Sequence, residues 1–311
     1  MSRYVASRAL QAVLTAFGVL VLVFFMLRLT GDPSSAILPK EATIEQRETF
    51  RHEMGFDRPI LVQLADYLAD IARGDFGLSY KYRLPVLTLI LERLPATVEL
   101  ALAGMTIAII LGVTIGVLGA TRPGSIWEAL TDLVGVVSLS TPTFWAGLIF
   151  ILVFSVNLRL FPVAGRSQPR SLVLPAVTMS LLCLGQLVRL TRATMREVLR
   201  QDYIQVARAK GLTSLAISYR HALRNAAIPI VTLIGINLGY MLGGSIIVET
   251  VFSWPGVGWL TYQAVSSRDF VLVQAVALFT AWVVLLLNLV TDILYGLLDP
   301  RIAYGRNAGA R

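Results

Sequence analysis

The sequence predicts an all-α, polytopic membrane protein with six transmembrane helices and both termini in the cytoplasm. Three observations predict it. First, 56% of the 311 residues are hydrophobic and only 15% are charged, with a mean hydropathy of +0.70. Second, six runs contain no Asp, Glu, Lys or Arg: Ala9 to Leu27, Leu100 to Ala120, Leu133 to Leu158, Ser171 to Val188, Asn225 to Val248 and Phe270 to Thr291. About 20 such residues in a helix span a bilayer core, and a helix satisfies its own backbone in lipid. Third, the charge is one-sided. With the N-terminus inside, residues 1–8, 121–132, 189–224 and 292–311 hold fourteen basic and six acidic residues, while the rest of the chain holds thirteen of each. Excess Lys and Arg mark the cytoplasmic face.

The N-terminal region, residues 1–30, reads as a retained signal-anchor helix. Arg3 and Arg8 precede an apolar stretch longer than a secretory h-region, and no small-residue cleavage site follows. Residues 31–96 form an extracytoplasmic helical loop, too long for a bare connection. Thr43-Ile44-Glu45-Gln46 matches a capping box, placing a helix start there and an end near Gly55. Ile60, Leu64, Leu68 and Ile71 make one apolar stripe of a second helix over 60–72, stopped by Gly74. The next segment, PVLTLILERLP, carries Glu92 and Arg93 and reads as interfacial. This loop is either a lid over the outer ends of the spans or a docking surface for an extracytoplasmic partner.

Residues 97–300 carry spans two to six, and 301–311 form a cytoplasmic tail. Gly112 and Gly116 lie four apart in span two, and Gly235, Gly239 and Gly243 in span five. Such stripes allow close helix approach, either for packing or along a pathway. Asn237 lies deep in span five, and Asn288 and Asp292 share a face of span six. Interhelical hydrogen bonding is the reading favoured for them over substrate contact. Cys183, the sole cysteine, excludes an internal disulfide and reads as a small buried hydrophobe.

Intrinsic chemistry is absent from the motif inventory. His52 and His221 fall on opposite faces; there is no HExxH, no cysteine pair, no serine elbow and no phosphate-binding G-x-x-x-x-G-K-[ST]. No metal site is predicted, and nucleic acid is not expected as a partner. ATP, if it drives the protein, binds another polypeptide. Ionisable groups within the spans are scarce, the nearest being Glu99, Asp132, Glu249 and Asp292 toward helix ends, and this scarcity argues against a proton- or sodium-coupled carrier.

The segment 189–224 interrupts the apolar runs with eight basic residues against Glu197 and Asp202. Good helix formers run from Thr191 to Lys210, and Gly211 then permits a sharp bend. Leu212, Leu215, Ala216 and Tyr219 space one apolar face of a second helix, with Arg208, Lys210 and Arg220 left for water or acidic partners. Ala207 and Ala209 offer a low-profile surface. Amphipathicity alone leaves this hairpin either lying on headgroups or docking a partner.

The strings DYIQVARAKGL and RHALRNAAIP decide between these. With GDP at 31–33, GDFGLSY at 74–80, RLPATVELAL at 93–102, STPTFW at 140–145, GGSIIVETVFSWPGVG at 243–258, RDF at 268–270 and LLDPRI at 297–302, they resemble, in order and almost end to end, the permease subunits of ABC importers of the dipeptide/oligopeptide/nickel branch. The generic EAA-x3-G loop is matched imperfectly, with Gln205 and Val206 in its first two positions and Arg224 where a proline is common.

The resemblance implies a type I ABC-importer permease fold and a pathway shared with a second homologous permease. It implies two ABC ATPases docking on a coupling loop that includes Tyr203, Gln205, Ala207, Arg208, Lys210, Gly211, Leu212, Arg220 and His221. An extracytoplasmic binding protein would deliver cargo, with short peptides preferred to nickel chelates or glutathione. ATP and Mg would reside on the partners, with no cofactor on this chain. FSWPGVGW reads as a re-entrant turn near an outer gate formed with Glu249, Pro255, Gly256 and Gly258, or as a plain membrane-edge turn; Trp254 and Trp259 suit the interface. A secondary carrier or channel and a structural anchor are the readings from other classes.

Overall fold

The computed structural model describes residues 2–29, 43–53 and 55–298. The Gly31-Asp32-Pro33 motif, the chain beyond residue 298 and the side chain of Asp292 lie outside the described residues.

Among the described residues the chain is helical, with no strand beyond an isolated bridge between Leu78 and Pro85. Helix α1 spans Ser2–Leu29, with its most apolar part at Val13–Met26. Helices α2, Ile44–Glu53, and α3, Ile60–Ala72, follow. The expected capping box is formed: Gln46 N–H donates to Thr43 Oγ1 at 3.2 Å, and Thr43 N–H donates to Gln46 Oε1 at 3.0 Å. Gly55 and Gly74 end these helices with φ of 69° and 80°. The stripe on α3 faces inward at its end, with Ile71 buried beside Leu20 of α1 and Leu278, while Leu64 and Leu68 are half-buried and Ile60 is exposed.

Helix α4, Val86–Thr121, revises one expectation. The segment read as interfacial is the first part of this 36-residue helix, which runs through Pro95 and across the 96/97 boundary. At 1.5 Å per residue it is about 54 Å long, well beyond a ~30 Å bilayer core. Its first turns bury Val86, Leu89 and Ile90 against Val257, Leu260, Leu272 and Ala275, so apolar packing, not membrane contact, explains their hydrophobicity.

A second revision concerns the predicted span 133–158. It is two helices, α5 (Ile126–Ser140) and α6 (Thr143–Phe150), the latter continuing as a π-helical stretch Ile151–Asn157, and they are bent by 104°. Proline disfavours the helical region for its predecessor and offers no N–H. Thr141 (ψ 118°) and Pro142 (ψ 130°) are extended accordingly.

A 3₁₀ turn, Pro169–Leu172, leads into α7, Val173–Leu199. Helices α4 and α7 pack most extensively of all. A Cβ on Gly104, Gly112 or Gly116 would lie 2.9, 2.8 or 2.6 Å from the Cβ of Met179, Leu187 or Thr191, each pair 75 residues apart. That constant offset means α4 and α7 run parallel, and α5 and α6 make the return between them. The Gly112/Gly116 stripe is therefore a packing seam. Cys183 is fully buried in the same core.

Beyond α7 come α8 (Asp202–Ala209) and α9 (Ser214–Ala216), which passes through a π-helical stretch Ile217–Ala222 into α10, Leu223–Gly244. Helices α11 (Ile246–Val251), α12 (Val257–Ser266) and α13 (Phe270–Leu298) complete the chain. Among the described residues, four continuous helices are long and apolar enough to cross a membrane, and the bent α5–α6 pair makes up to five. Many apolar residues on α5 and α6, among them Leu133, Val136, Leu148 and Leu152, point outward, as lipid-facing or partner-facing residues do.

Candidate functional site

The basic hairpin is anchored before it is exposed. Arg192 of α7 sits between Glu128 and Asp132 of α5, and Arg196 also reaches Glu128 at 2.6 Å. Glu128 accepts from the Gly124 N–H at 2.6 Å as well. This network holds the end of α7 against the turn between α4 and α5. Helix α8 then buries Ile204 completely and Ala207 nearly so within the main core. Ala207 thus faces inward. The expectation of an outward low-profile surface holds for Ala209 and fails for Ala207, because Ile204 and Ala207, three residues apart, form the packing face. Tyr203 Oη accepts from Asn225 Nδ2 at 2.6 Å, tying α8 to α10.

The bend after α8 is a Schellman motif. Leu212 N–H donates to Ala207 O at 3.3 Å and Gly211 N–H to Arg208 O at 2.9 Å. Gly211 has φ 77°, and no atom lies within 4 Å of where its Cβ would be. Glycine is required there by backbone conformation alone. Thr213 then caps the next helix, its Oγ1 accepting from Ala216 N–H at 3.3 Å.

The outward surface combines Val206, Leu212, Leu215 and Tyr219, with Leu215 73% exposed, and the exposed Gln205, Arg208, Lys210 and Arg220. His221 is half-buried and contributes its carbonyl to Asn225. The predicted apolar face is present, with Ala216 half-buried at its edge.

The turn formed by residues 252–259 is built around a buried carboxylate. Glu249 of α11 is fully buried. It accepts from Thr97 Oγ1 of α4 at 2.8 Å and from the Trp259 N–H at 2.9 Å. Thr97 Oγ1 in turn accepts from Val257 N–H at 2.8 Å. A side chain on Gly256 would collide with this carboxylate, and a Cβ on Gly258 would lie 2.6 Å from Ile246 Cα. Trp254 is not interfacial. It is 1% exposed and donates from Nε1 to Ala96 O at 2.8 Å. Arg166 covers its ring and pairs with Glu99 at 2.5 Å. Trp259 stacks on Tyr262 instead. Pro255 is half-buried in the turn.

The span-five residues separate. Gly239 and Gly243 face α13, a Cβ at Gly243 lying 3.2 Å from Val284 Cγ2 and one at Gly239 lying 3.7 Å from Asn288 Oδ1. Asn237 is buried and donates to Gln186 Oε1 of α7 at 3.2 Å, the interhelical bond expected of it. Gly235 is half-buried and Asn288 exposed. These residues do not converge with Glu249 or with the hairpin.

Thr97 and Asp269 went unrecognised in the sequence. Asp269, 1% exposed, caps α13 by accepting from Leu272 N–H at 3.1 Å, and also accepts from Ser79 Oγ at 2.5 Å and Lys81 N–H at 3.2 Å. The signal was available: an Asp immediately before a long apolar run is a helix start. Thr97 offered none, since its partners are about 150 residues away.

Comparison with known proteins adds the context. Residues 108–304 match the family described as binding-protein-dependent transport system inner membrane component, and residues 1–101 match its N-terminal counterpart. The chain is 38% identical to the di/tripeptide transport system permease protein DppB of Pseudomonas aeruginosa (strain UCBPP-PA14), covering 98% of this chain and all of that one. It is also 38% identical, with the same coverage, to the glutathione transport system permease protein GsiC of Escherichia coli (strain K12). Among solved structures, an inward-facing MetNI methionine ABC transporter chain aligns with a TM-score of 0.54 at 20% identity, covering 68% of this chain and 96% of that one. An amino acid ABC transporter aligns at 0.51, with 17% identity, covering 67% and 94%.

Proposed function

The chain belongs to the family of binding-protein-dependent transport system inner membrane components, and from that premise we propose that it forms, with a second homologous permease, the pathway of an importer for short peptides. As a member it is a multi-pass permease subunit of the bacterial inner membrane, and ATP hydrolysis belongs to partner ATPases. Two such ATPases dock on the hairpin around Gly211, and an extracytoplasmic protein delivers cargo to the outer face. The six-span topology with both termini inside belongs to the same proposal.

One observation carries the coupling role. The hairpin has an anchored inner face, through Ile204, Ala207 and the Arg192–Glu128–Arg196 network, and an apolar outer face that the chain leaves bare. A rigidly mounted exposed patch transmits force to the spans it is mounted on. Contact with an ATPase covers Leu215 and Tyr219 and shifts α7 and α10 together. At the opposite end, the Glu249–Thr97 bonds tie the outer turn to α4, so tilting α4 carries that turn with it.

Glutathione is the second reading for cargo, because a glutathione permease is as similar to this chain as the di/tripeptide one. Neither of these two relatives is named for nickel, and among the described residues no His, Cys, Asp or Glu cluster could hold a metal ion. Uptake of a labelled dipeptide into cells carrying the intact transporter, with unlabelled dipeptide or glutathione as competitor, separates the two. Competition by dipeptide alone is expected; competition by glutathione alone would overturn the peptide assignment.

A further inference from the structure

A cleft of about 740 Å³ opens between the hairpin and the inner ends of the spans. One wall comes from the end of α4 and the turn after it, Ala120, Thr121 and Pro123; the others come from the end of α7 and from the hairpin. Arg196, Arg200 and Arg208 line it, and no acidic residue does. Arg196 is committed to Glu128. Among the described residues, no carboxylate lies within ion-pair distance of Arg200 or Arg208. Ser218 spends its hydroxyl proton on Ser214 O at 2.7 Å, leaving the guanidinium groups and the Ser214 hydroxyl as the free donors. Leu199, Leu212 and Ile217 add apolar wall.

The structure assigns this cleft to the phosphate headgroup of an anionic phospholipid from the cytoplasmic leaflet. Guanidinium forks match phosphate oxygens, and Arg is less strongly hydrated than Lys. The cleft is walled by the end of a helix long and apolar enough to cross a membrane, and its mixed basic and apolar lining suits an amphiphile. It is far larger than a single carboxylate needs, which disfavours an acidic side chain of a partner. Basic residues near a membrane surface each add attraction to anionic lipid. A lipid held there joins the hairpin to the ends of α4 and α7 and so stiffens the link between them. The inference rests on the cytoplasmic placement of the hairpin, not on its grip on an ATPase.

The test is a titration of the assembled transporter, delipidated in neutral detergent, with short-chain phosphatidylglycerol or phosphatidylcholine, counting bound lipid by native mass spectrometry. We expect one tightly retained phosphatidylglycerol per copy of this chain, weakened about tenfold or more in the Arg200→Gln/Arg208→Gln double variant. Arg200→Lys/Arg208→Lys should retain part of the affinity, and Arg220→Gln/Arg224→Gln, outside the cleft lining, should retain all of it. Equal retention by the first double variant would overturn the assignment. So would preference for inorganic phosphate over the lipid, or loss of the lipid once the ATPases are bound. Coupling of hydrolysis to uptake, read on Gly211 variants, is a separate measurement, so either reading can fail alone.

Discussion

At the scale of single residues, two positions concentrate the requirements. Gly211 needs a positive φ with empty space around it, so any penalty on substitution comes from the backbone. A β-branched residue there costs about 1–2 kcal/mol in the left-handed region. Gly211→Val should therefore leave expression and membrane insertion intact, shift the hairpin's bend, and lower cargo uptake per ATP hydrolysed roughly tenfold. Parallel measurement of phosphate release and uptake in proteoliposomes checks this, and unchanged coupling would remove the hairpin from the proposed role. Thr97 is the complementary case. Its hydroxyl bridges the Val257 N–H and the Glu249 carboxylate, all buried. Thr97→Val keeps the shape but strands the Val257 N–H and removes one donor to Glu249, which keeps the Trp259 N–H, at about 1–3 kcal/mol for an unsatisfied buried group. A lower thermal unfolding temperature in detergent is expected, with Thr97→Ser retaining most of the stability.

At the scale of elements, the seam between α4 and α7 is the most constrained feature. Gly116 sits where a Cβ would come within 2.6 Å of Thr191 Cβ and 2.9 Å of the Val188 carbonyl oxygen. Overpacking of that kind typically costs 1–3 kcal/mol. Gly116→Leu should separate the two helices and reduce the folded, monodisperse fraction on size-exclusion chromatography. Gly124→Ala is the control within the same protein. Unlike Gly116 it has a positive φ and no neighbour within 4 Å, so it tests backbone strain without a clash and should cost less. The break at Pro142 belongs to this scale too. The apolar run 133–158 has no charge to mark its interruption, yet the 104° bend follows from the restriction that proline places on Thr141.

At the scale of the whole molecule, the chain needs partners to work. Purified alone into liposomes, it should give no cargo uptake with or without ATP; uptake by the isolated chain would revive a self-powered carrier. What could be read from the chain itself was local. The uncharged runs, the capping box at Thr43, the stop at Gly55, the helix over 60–72 and the bend at Gly211 each depend on neighbours within a few residues. Solvent preference, hydrogen-bond geometry and glycine's backbone freedom act at that range, so the sequence determined them, together with the helical class and the basic hairpin. Tertiary structure decided what depends on distant partners. It turned Ala207 inward, buried Trp254 against Ala96, extended the second span back to Val86, and joined Glu249 to Thr97 and Asp269 to Ser79. The physical reason is that apolarity alone does not say whether a side chain meets lipid, another helix or a partner subunit; only the packed neighbours distinguish them.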